Sequence, residues 1–333
     1  MKGNLLTTLA DRNFLDQAKQ LFSSVYWNAG WEGDYMLLAC GIPESELKWF
    51  RERGILVKEV EPFSDKDFGA ETLRYPAAVT GKLALFSEEF KDWRAVAFID
   101  ADCIVRYPLD LLVNTKGFSA ARDWLDTAII MYQAKKPEGI EESEYLRQFN
   151  GYSLTATAFN TGVFAFNTKV IDSSTQVKLK QILHKYKDFG RFGEQLWMNL
   201  YFYKKWQRLP MEYNLFASYL HNRRRLPKRQ IDGVVLHFPR FGKEEGLRCW
   251  DKNNAFYDEW KRNLERAEMI DLKHIPKPNC RWPGSRGLLF QRWRLRIALG
   301  SDYLRFYRSK MSIRSRTVAF FSAKMRKKHA HGA

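Results

Sequence analysis

The chain reads as an α/β fold on a mostly parallel, doubly wound sheet. Three observations predict this. A strand runs straight into an amphipathic helix at the N-terminus, two further strand candidates flank a second helix, and a continuous apolar run ends on a pair of acids. At 333 residues, 28% charged and 45% hydrophobic, the chain has ample material for a packed core. That composition disfavours wholesale disorder, a collagen-like chain and a multi-span membrane protein.

Residues 5–10 are apolar enough for a buried first strand, and 13–26 carry Phe14, Leu15, Ala18, Leu21, Phe22 and Val25 at helical spacing. Residues 35–39 and 56–60 are the next strands, with 44–53 helical between them. A helix over 81–90 is expected before residues 95–99, Ala-Val-Ala-Phe-Ile, whose unbroken apolar run suits a central strand buried on both faces. Further along, 159–167 is an apolar strand introduced by an Asn-Thr-Gly turn, 193–199 opens a helix, 234–238 is a strand and 254–269 a helix.

The central strand closes on Asp100-Ala101-Asp102. Ligands of open α/β sheets bind outside the carboxyl ends of strands, so acids there sit where chemistry happens. In extended chain, residues two apart project to the same side, which lets one divalent cation be approached by both aspartates. The same pattern also suits a strand-end turn or a helix cap. A second copy, Asp65-Lys66-Asp67, lies in a polar stretch and reads as a solvated loop.

Taken in order, the segments around Asp100 to Asp102, Asn160-Thr161-Gly162, Glu194-Gln195, Leu209 to Asn214 and His237 followed at six by Lys243 resemble the nucleotide-sugar glycosyltransferases of family 8, the glycogenin and lipopolysaccharide galactosyltransferase type. The resemblance covers roughly residues 4–250. It implies a GT-A type fold and a retaining transfer of a hexosyl group from a UDP-sugar to an acceptor hydroxyl. Residue by residue, it implies that Thr8, Ala10, Asp11 and Phe14 hold the uridine, with Asp11 accepting from the uracil N–H and Phe14 packing on the base. Asn and Tyr are the usual residues at those last two places. Lys82 would reach the donor's sugar or diphosphate, and Asp100, Ala101, Asp123 and Asn160 would line the donor.

Asp100, Asp102 and His237 would coordinate Mn²⁺ or Mg²⁺, the mixed oxygen and imidazole set suiting Mn²⁺ somewhat better. Glu194, Gln195 and Lys243 are the catalytic candidates, with Lys243 meeting the β-phosphate. Three departures from the family pattern stand out: Glu194 replaces Asp, Arg240 replaces a glycine, and glycine arrives late at Gly242. Ordinary structural roles compete with several of these assignments: helix packing for Phe14, a surface position for Lys82, a turn for Asn160, a core imidazole for His237.

The charge of +17, from 55 Lys and Arg against 38 Asp and Glu, is concentrated. Residues 281–333 carry fourteen Lys or Arg against the single acid Asp302, leaving +4 for the first 280. The expected organisation is a catalytic domain over 1–250, a helical connector over 251–280 and a basic, aromatic-rich segment over 281–333. Cations interleaved with Phe290, Trp293, Tyr303, Phe306 and Phe320 suit an anionic membrane surface, and also nucleic acid phosphates. With an enzyme body, the membrane is the preferred partner, where a saccharide or glycolipid acceptor would be met. Competing readings are a nucleic-acid-binding protein that uses this segment, and a noncatalytic sugar-nucleotide binder. A second basic cluster spans Arg223-Arg224-Arg225 and Lys228-Arg229.

Cys40, Cys103, Cys249 and Cys280 form no C-x-x-C pair and lack zinc spacing, which suits reduced thiols. The N-terminal apolar stretch is too short for a signal peptide, and no window reaches the roughly 18 apolar residues of a spanning helix. The expectation is a cytoplasmic chain, peripheral on the inner face of the membrane. Between Asp123 and Asn160 lie 36 residues, including the acidic 138–144 patch, read as an acceptor lid or a surface excursion.

Overall fold

The computed structural model describes residues 2–64, 67–70, 73–123, 128–239 and 248–278. Asp65, Lys66, Arg240, Gly242, Lys243, Cys280 and the whole 281–333 segment lie outside the described residues.

The main sheet has seven strands in the order β10-β8-β9-β6-β1-β2-β3. Its centre is β1 (Lys2–Ala10) and β6 (Trp93–Ile99), which run parallel to each other, and β2 (Asp34–Ala39) and β3 (Leu56–Glu59) extend the parallel set. On the other side, β9 (Phe159–Asn167) is antiparallel to both β6 and β8 (Phe118–Arg122), and β10 (Trp206–Leu209) pairs parallel with β8. The expected mixed α/β architecture with a mostly parallel sheet is present.

Side chains alternate across this sheet. Leu5, Val96, Phe98, Phe164 and Phe166 enter one core, whereas Leu6, Ala97, Ile99, Val163 and Ala165 enter the other. A strand buried on both faces needs apolar residues at every position, which is why 95–99 shows no polar alternation. The first core is aromatic: Phe118 stacks on Phe202 at 3.9 Å and Phe86 on Phe166 at 4.8 Å.

A second, three-stranded sheet is ordered β11-β12-β7, from Leu215–Phe216, Val235–His237 and Cys103–Val105. It sets His237 opposite Cys103, directly after Asp102. The remaining pair, β4 (Phe68–Ala70) and β5 (Leu73–Tyr75), is an antiparallel hairpin.

Three local expectations change. The helix expected over 81–90 is two 3₁₀ segments, Ala77–Phe86 and Glu88–Asp92. Thr80 through Phe86 are all buried, so this segment has no solvent face to organise an amphipathic α-helix. Residues 12–29 form a 3₁₀ turn, the Leu15–Ser24 helix and a π-helical turn in succession. Asn160-Thr161-Gly162 is part of strand β9 and no turn; the Asn160 side chain folds back onto the Gly162 N–H at 2.8 Å while the backbone stays extended.

The Tyr257–Arg266 helix packs on the Leu15–Ser24 helix. Glu259 takes both ends of the Arg106 guanidinium, and the Tyr26 hydroxyl donates to the carbonyls of Asp271 and His274. Among the described residues no helix is long and apolar enough to cross a membrane.

Candidate active site

A cavity of about 640 Å³ opens at the carboxyl ends of β1 and β6. The aspartates stand there because β6 stops at Ile99 and the chain turns through Ala101 and Asp102 before re-entering a strand at Cys103. That turn corrects the expectation that both acids project alike. Asp100 points to Lys82, with Nζ to Oδ1 at 3.0 Å, while Asp102 points to His237 and Arg248.

Lys82 is buried between Asp100 and Glu194, the latter at 2.9 Å, with its ammonium 4.7 Å from the Phe98 ring centre. Burial alone would lower its pKa, but the two carboxylates outweigh burial and hold it above the usual lysine range. Burial pushes the Asp100 carboxyl up, against the opposing pull of Lys82. For Asp102 burial works in the same direction, yet His237 and Arg248 together hold the carboxyl well below its ordinary value.

Adjoining these groups is a network of neutral amides around one acid. Asn160 Oδ1 accepts from the Gly162 N–H, so its Nδ2 must be the atom that meets Gln195 Oε1 at 2.8 Å. Gln195 Oε1 also accepts from the Thr161 N–H at 3.2 Å, which leaves Gln195 Nε2 to donate to Asp123 Oδ2 at 2.8 Å. Gln133 Nε2 donates to the same oxygen at 3.0 Å. Two backbone N–H groups thus fix the orientation of both amides without ambiguity.

The same logic reaches His237. Asn214 Nδ2 donates to Asn160 Oδ1, so Asn214 Oδ1 faces His237 Nδ1 at 2.7 Å and that nitrogen carries the proton. In the neutral ring Nε2 then offers its lone pair toward Asp102 Oδ1, 3.2 Å away. A proton on Nε2 or a metal cation beside it satisfies that contact, and a histidine held by a hydrogen bond at its other nitrogen is the usual arrangement of a metal ligand. Gly162 makes this possible. A Cβ there would stand 2.8 Å from His237 Nδ1 and 2.9 Å from Asn160 Oδ1.

Asp102, Cys103 and His237 bring ligand atoms within 4.8 Å of one another. Burial raises the Cys103 thiol well above its usual range, so it stays a neutral, weak donor. Among the described residues five carboxylates line the cavity, including Asp11 and Asp123, against the cations Lys82, Arg223 and Arg248. An anionic ligand enters so negative a space only with additional positive charge. The residues therefore fit a divalent cation.

The remaining sequence candidates distribute unevenly. Ala10, Asp11, Phe14 and Ala101 line the cavity. Asp11 also caps its own 3₁₀ turn by accepting from the Asn13 N–H at 2.9 Å. Thr8 is fully buried within β1 and is not on the cavity wall. Thr161, whose hydroxyl donates to Glu194 at 2.6 Å, and Gln133, Asn214 and Arg248 were not singled out by the sequence. The sequence signal for Thr161 was its place inside Asn-Thr-Gly; for Arg248 there was none.

The sequence profile of glycosyl transferase family 8 matches residues 6–244, which include both walls apart from Arg248. The chain belongs to glycosyl transferase family 8. Among solved structures of GT-A glycosyltransferases, this family 8 chain is similar to galactosyltransferase LgtC in complex with donor and acceptor sugar analogs, at 17% identity and TM-score 0.56, covering 82% of this chain and 98% of LgtC. It is also similar to the bifunctional glycosyltransferase WbbM, at 15% identity and TM-score 0.57, covering 81% of this chain and 52% of WbbM. These likenesses establish a GT-A type fold. Galactinol synthase 4 of Arabidopsis thaliana is 24% identical over 190 residues, so the chain spans about half the length of that relative, 54%.

Proposed function

We propose that this family 8 chain is a retaining glycosyltransferase that moves a hexosyl group from a UDP-sugar to an acceptor hydroxyl, with Mn²⁺ or Mg²⁺ held by Asp102 and His237 and approached by Asp100. One observation carries the reading: His237 Nε2 lies 3.2 Å from an Asp102 oxygen while its Nδ1 is held by Asn214, beside the Asp123, Asn160 and Gln195 network. The bound cation would share the negative charge of the leaving diphosphate.

The chain's own residues supply the rest. Lys82 stands 3.0 Å from Asp100 and places a fixed positive charge beside the departing phosphate. Asp123 accepts from Gln133, Gln195 and Asn160, and is the acceptor for donor sugar hydroxyls. Glu194 already binds Lys82 and Thr161 through Oε1, which supports a role as electrostatic partner of the positive anomeric carbon. Phe14, edge-on to Trp250 at 5.7 Å, offers a platform for the base beside Asp11. Lys243 is proposed to meet the β-phosphate. Tyr132 and Phe192, with rings 5.4 Å apart, line the outer cavity on the acceptor side.

A surface glycan or lipid-linked saccharide is the proposed acceptor, met at an anionic inner membrane face through residues 281–333. Two experiments test these claims. A panel of UDP-sugars assayed without acceptor should give slow, metal-dependent UDP release with one of them; chelator-insensitive or absent release across the panel refutes the enzyme reading. Flotation with anionic vesicles should retain the full chain and lose a 1–280 form, and equal flotation removes the basic segment from the account.

A further inference from the structure

Arg248 belongs to no motif of the sequence, yet it holds the carboxylate on which the proposed donor chemistry turns. Its Nη1 donates to Asp102 Oδ2 at 2.6 Å and to the Phe238 carbonyl at 3.4 Å. The guanidinium lies 5.1 Å from the centre of the Trp250 ring, and that ring in turn meets Phe14. Arg248 lines the cavity, and a quarter of its side chain, 24%, is exposed there.

We infer that Arg248 is an exchangeable cation of the donor site: it neutralises Asp102 in the donor-free chain and moves to the nucleotide's diphosphate when a divalent cation takes that carboxylate. This rests on the UDP-sugar reading above. Three observations carry it further. Asp102 Oδ2 is held by Arg248 at 2.6 Å and Oδ1 lies 3.2 Å from His237 Nε2, so a metal ion that uses both oxygens must displace the guanidinium. Among the described residues every hydrogen bond of that guanidinium comes from Nη1, which leaves the Nε and Nη2 donors for the bidentate grip that guanidinium gives to phosphate. Arg248 lines the same cavity as Asp100, Asp102 and Lys82, so an incoming diphosphate offers a guanidinium released from Asp102 an anionic partner within that space.

A purely structural ion pair behaves differently. Arg106 is of that kind, gripped through Nε and Nη2 by Glu259 and through Nη1 by a backbone carbonyl, away from the cavity.

The exchange predicts effects of opposite sign from one substitution. In the full chain without nucleotide, Arg248→Met should bind Mn²⁺ severalfold more tightly than wild type, read from the free Mn²⁺ paramagnetic signal. At saturating Mn²⁺, the same variant should bind UDP about tenfold more weakly by calorimetry, the loss expected for a charge-assisted contact. Arg248→Lys, which keeps the charge without the planar fork, should hold Mn²⁺ near wild type and lose less UDP affinity. It carries the test if Arg248→Met lowers the melting temperature. Both shifts are required: unchanged or weaker Mn²⁺ binding, or unchanged UDP binding, overturns the inference. Wild-type protein that binds neither Mn²⁺ nor UDP removes the donor reading itself, and the inference with it.

Discussion

The two walls of the cavity satisfy their polar groups in different ways. On the Asp123 wall, the neutral amides of Asn160, Gln195 and Asn214 are oriented through the fixed N–H groups of Thr161 and Gly162, and that of Gln133 by the Phe159 carbonyl. On the Asp102 wall, whole charges dominate: Lys82 between two carboxylates, and Arg248 on a third that also meets the His237 imidazole. A directional amide network is preorganised for hydroxyls and does not need to move. A set of monovalent counter-ions can be exchanged for a divalent cation and a diphosphate. The difference separates sugar recognition from leaving-group stabilisation within one space.

The sharpest way to break the comparison is at Asp102. Asp102→Asn keeps the shape but removes the charge shared by His237 and Arg248. UDP release should fall about a thousandfold or more, the scale of losing a principal electrostatic contact, and stabilisation by UDP with Mn²⁺ should vanish from the thermal melt. Turnover near wild type would show that the charged wall is not where chemistry happens.

Gly162→Ala attacks the joint between the walls. The new Cβ meets both the His237 ring on β12 and Asn160 Oδ1 on β9, both buried and hydrogen-bonded, which leaves little room to yield. We expect a loss of about 2–3 kcal/mol in stability, read by denaturant melts, with weakened Mn²⁺ binding as the imidazole is pushed off line. A Gly162→Ala protein with wild-type stability would mean that His237 rests elsewhere.

Most of the sheet was legible because its signal is local. Runs such as 95–99 and 163–166 are apolar at every position, and only a strand buried on both faces demands that. What stayed hidden was short or decided by distant packing. Strand β11 has two residues and β7 three, too few for any period to register, yet they set His237 beside Asp102. The 77–86 segment took a 3₁₀ path, with Thr80 through Phe86 buried and no amphipathic period to show. In the site, residue types with known chemistry in recognisable spacing were found, but their pairings were not. Spacing put Asp100 with Asp102; the turn at Ala101 gave Asp100 to Lys82 instead. Gln133 entered from the stretch read as a lid or surface excursion, which in fact sends Tyr145, Phe149 and Leu154 into the core.

Two smaller effects sharpen the contrast through pH. Gln195→Glu puts a carboxyl where Nε2 now donates to Asp123 at 2.8 Å. Two carboxylates that close cannot both ionise, so one holds a proton and its folded pKa rises above the unfolded value. A raised folded pKa contributes stability at low pH that is lost as pH climbs through it. The variant should therefore match wild type best in mild acid and fall behind by about 2 kcal/mol at slightly alkaline pH, in paired denaturant melts. The same loss at both pH values would mean that Asp123 and Gln195 are not in contact. Away from the walls, burial raises the phenols of Tyr145 and Tyr213 to about 12. Their stabilising share is complete below the unfolded value near 10 and is lost between there and about 12, at no more than about 1.4 kcal/mol per pH unit for each group. Tyrosinate absorbance in the native chain should lag behind that of the unfolded chain across that window. Loss of one late-titrating phenol in each of Tyr145→Phe and Tyr213→Phe would assign the lag to these two residues, and a lag unchanged in both would show that neither phenol is held neutral by burial.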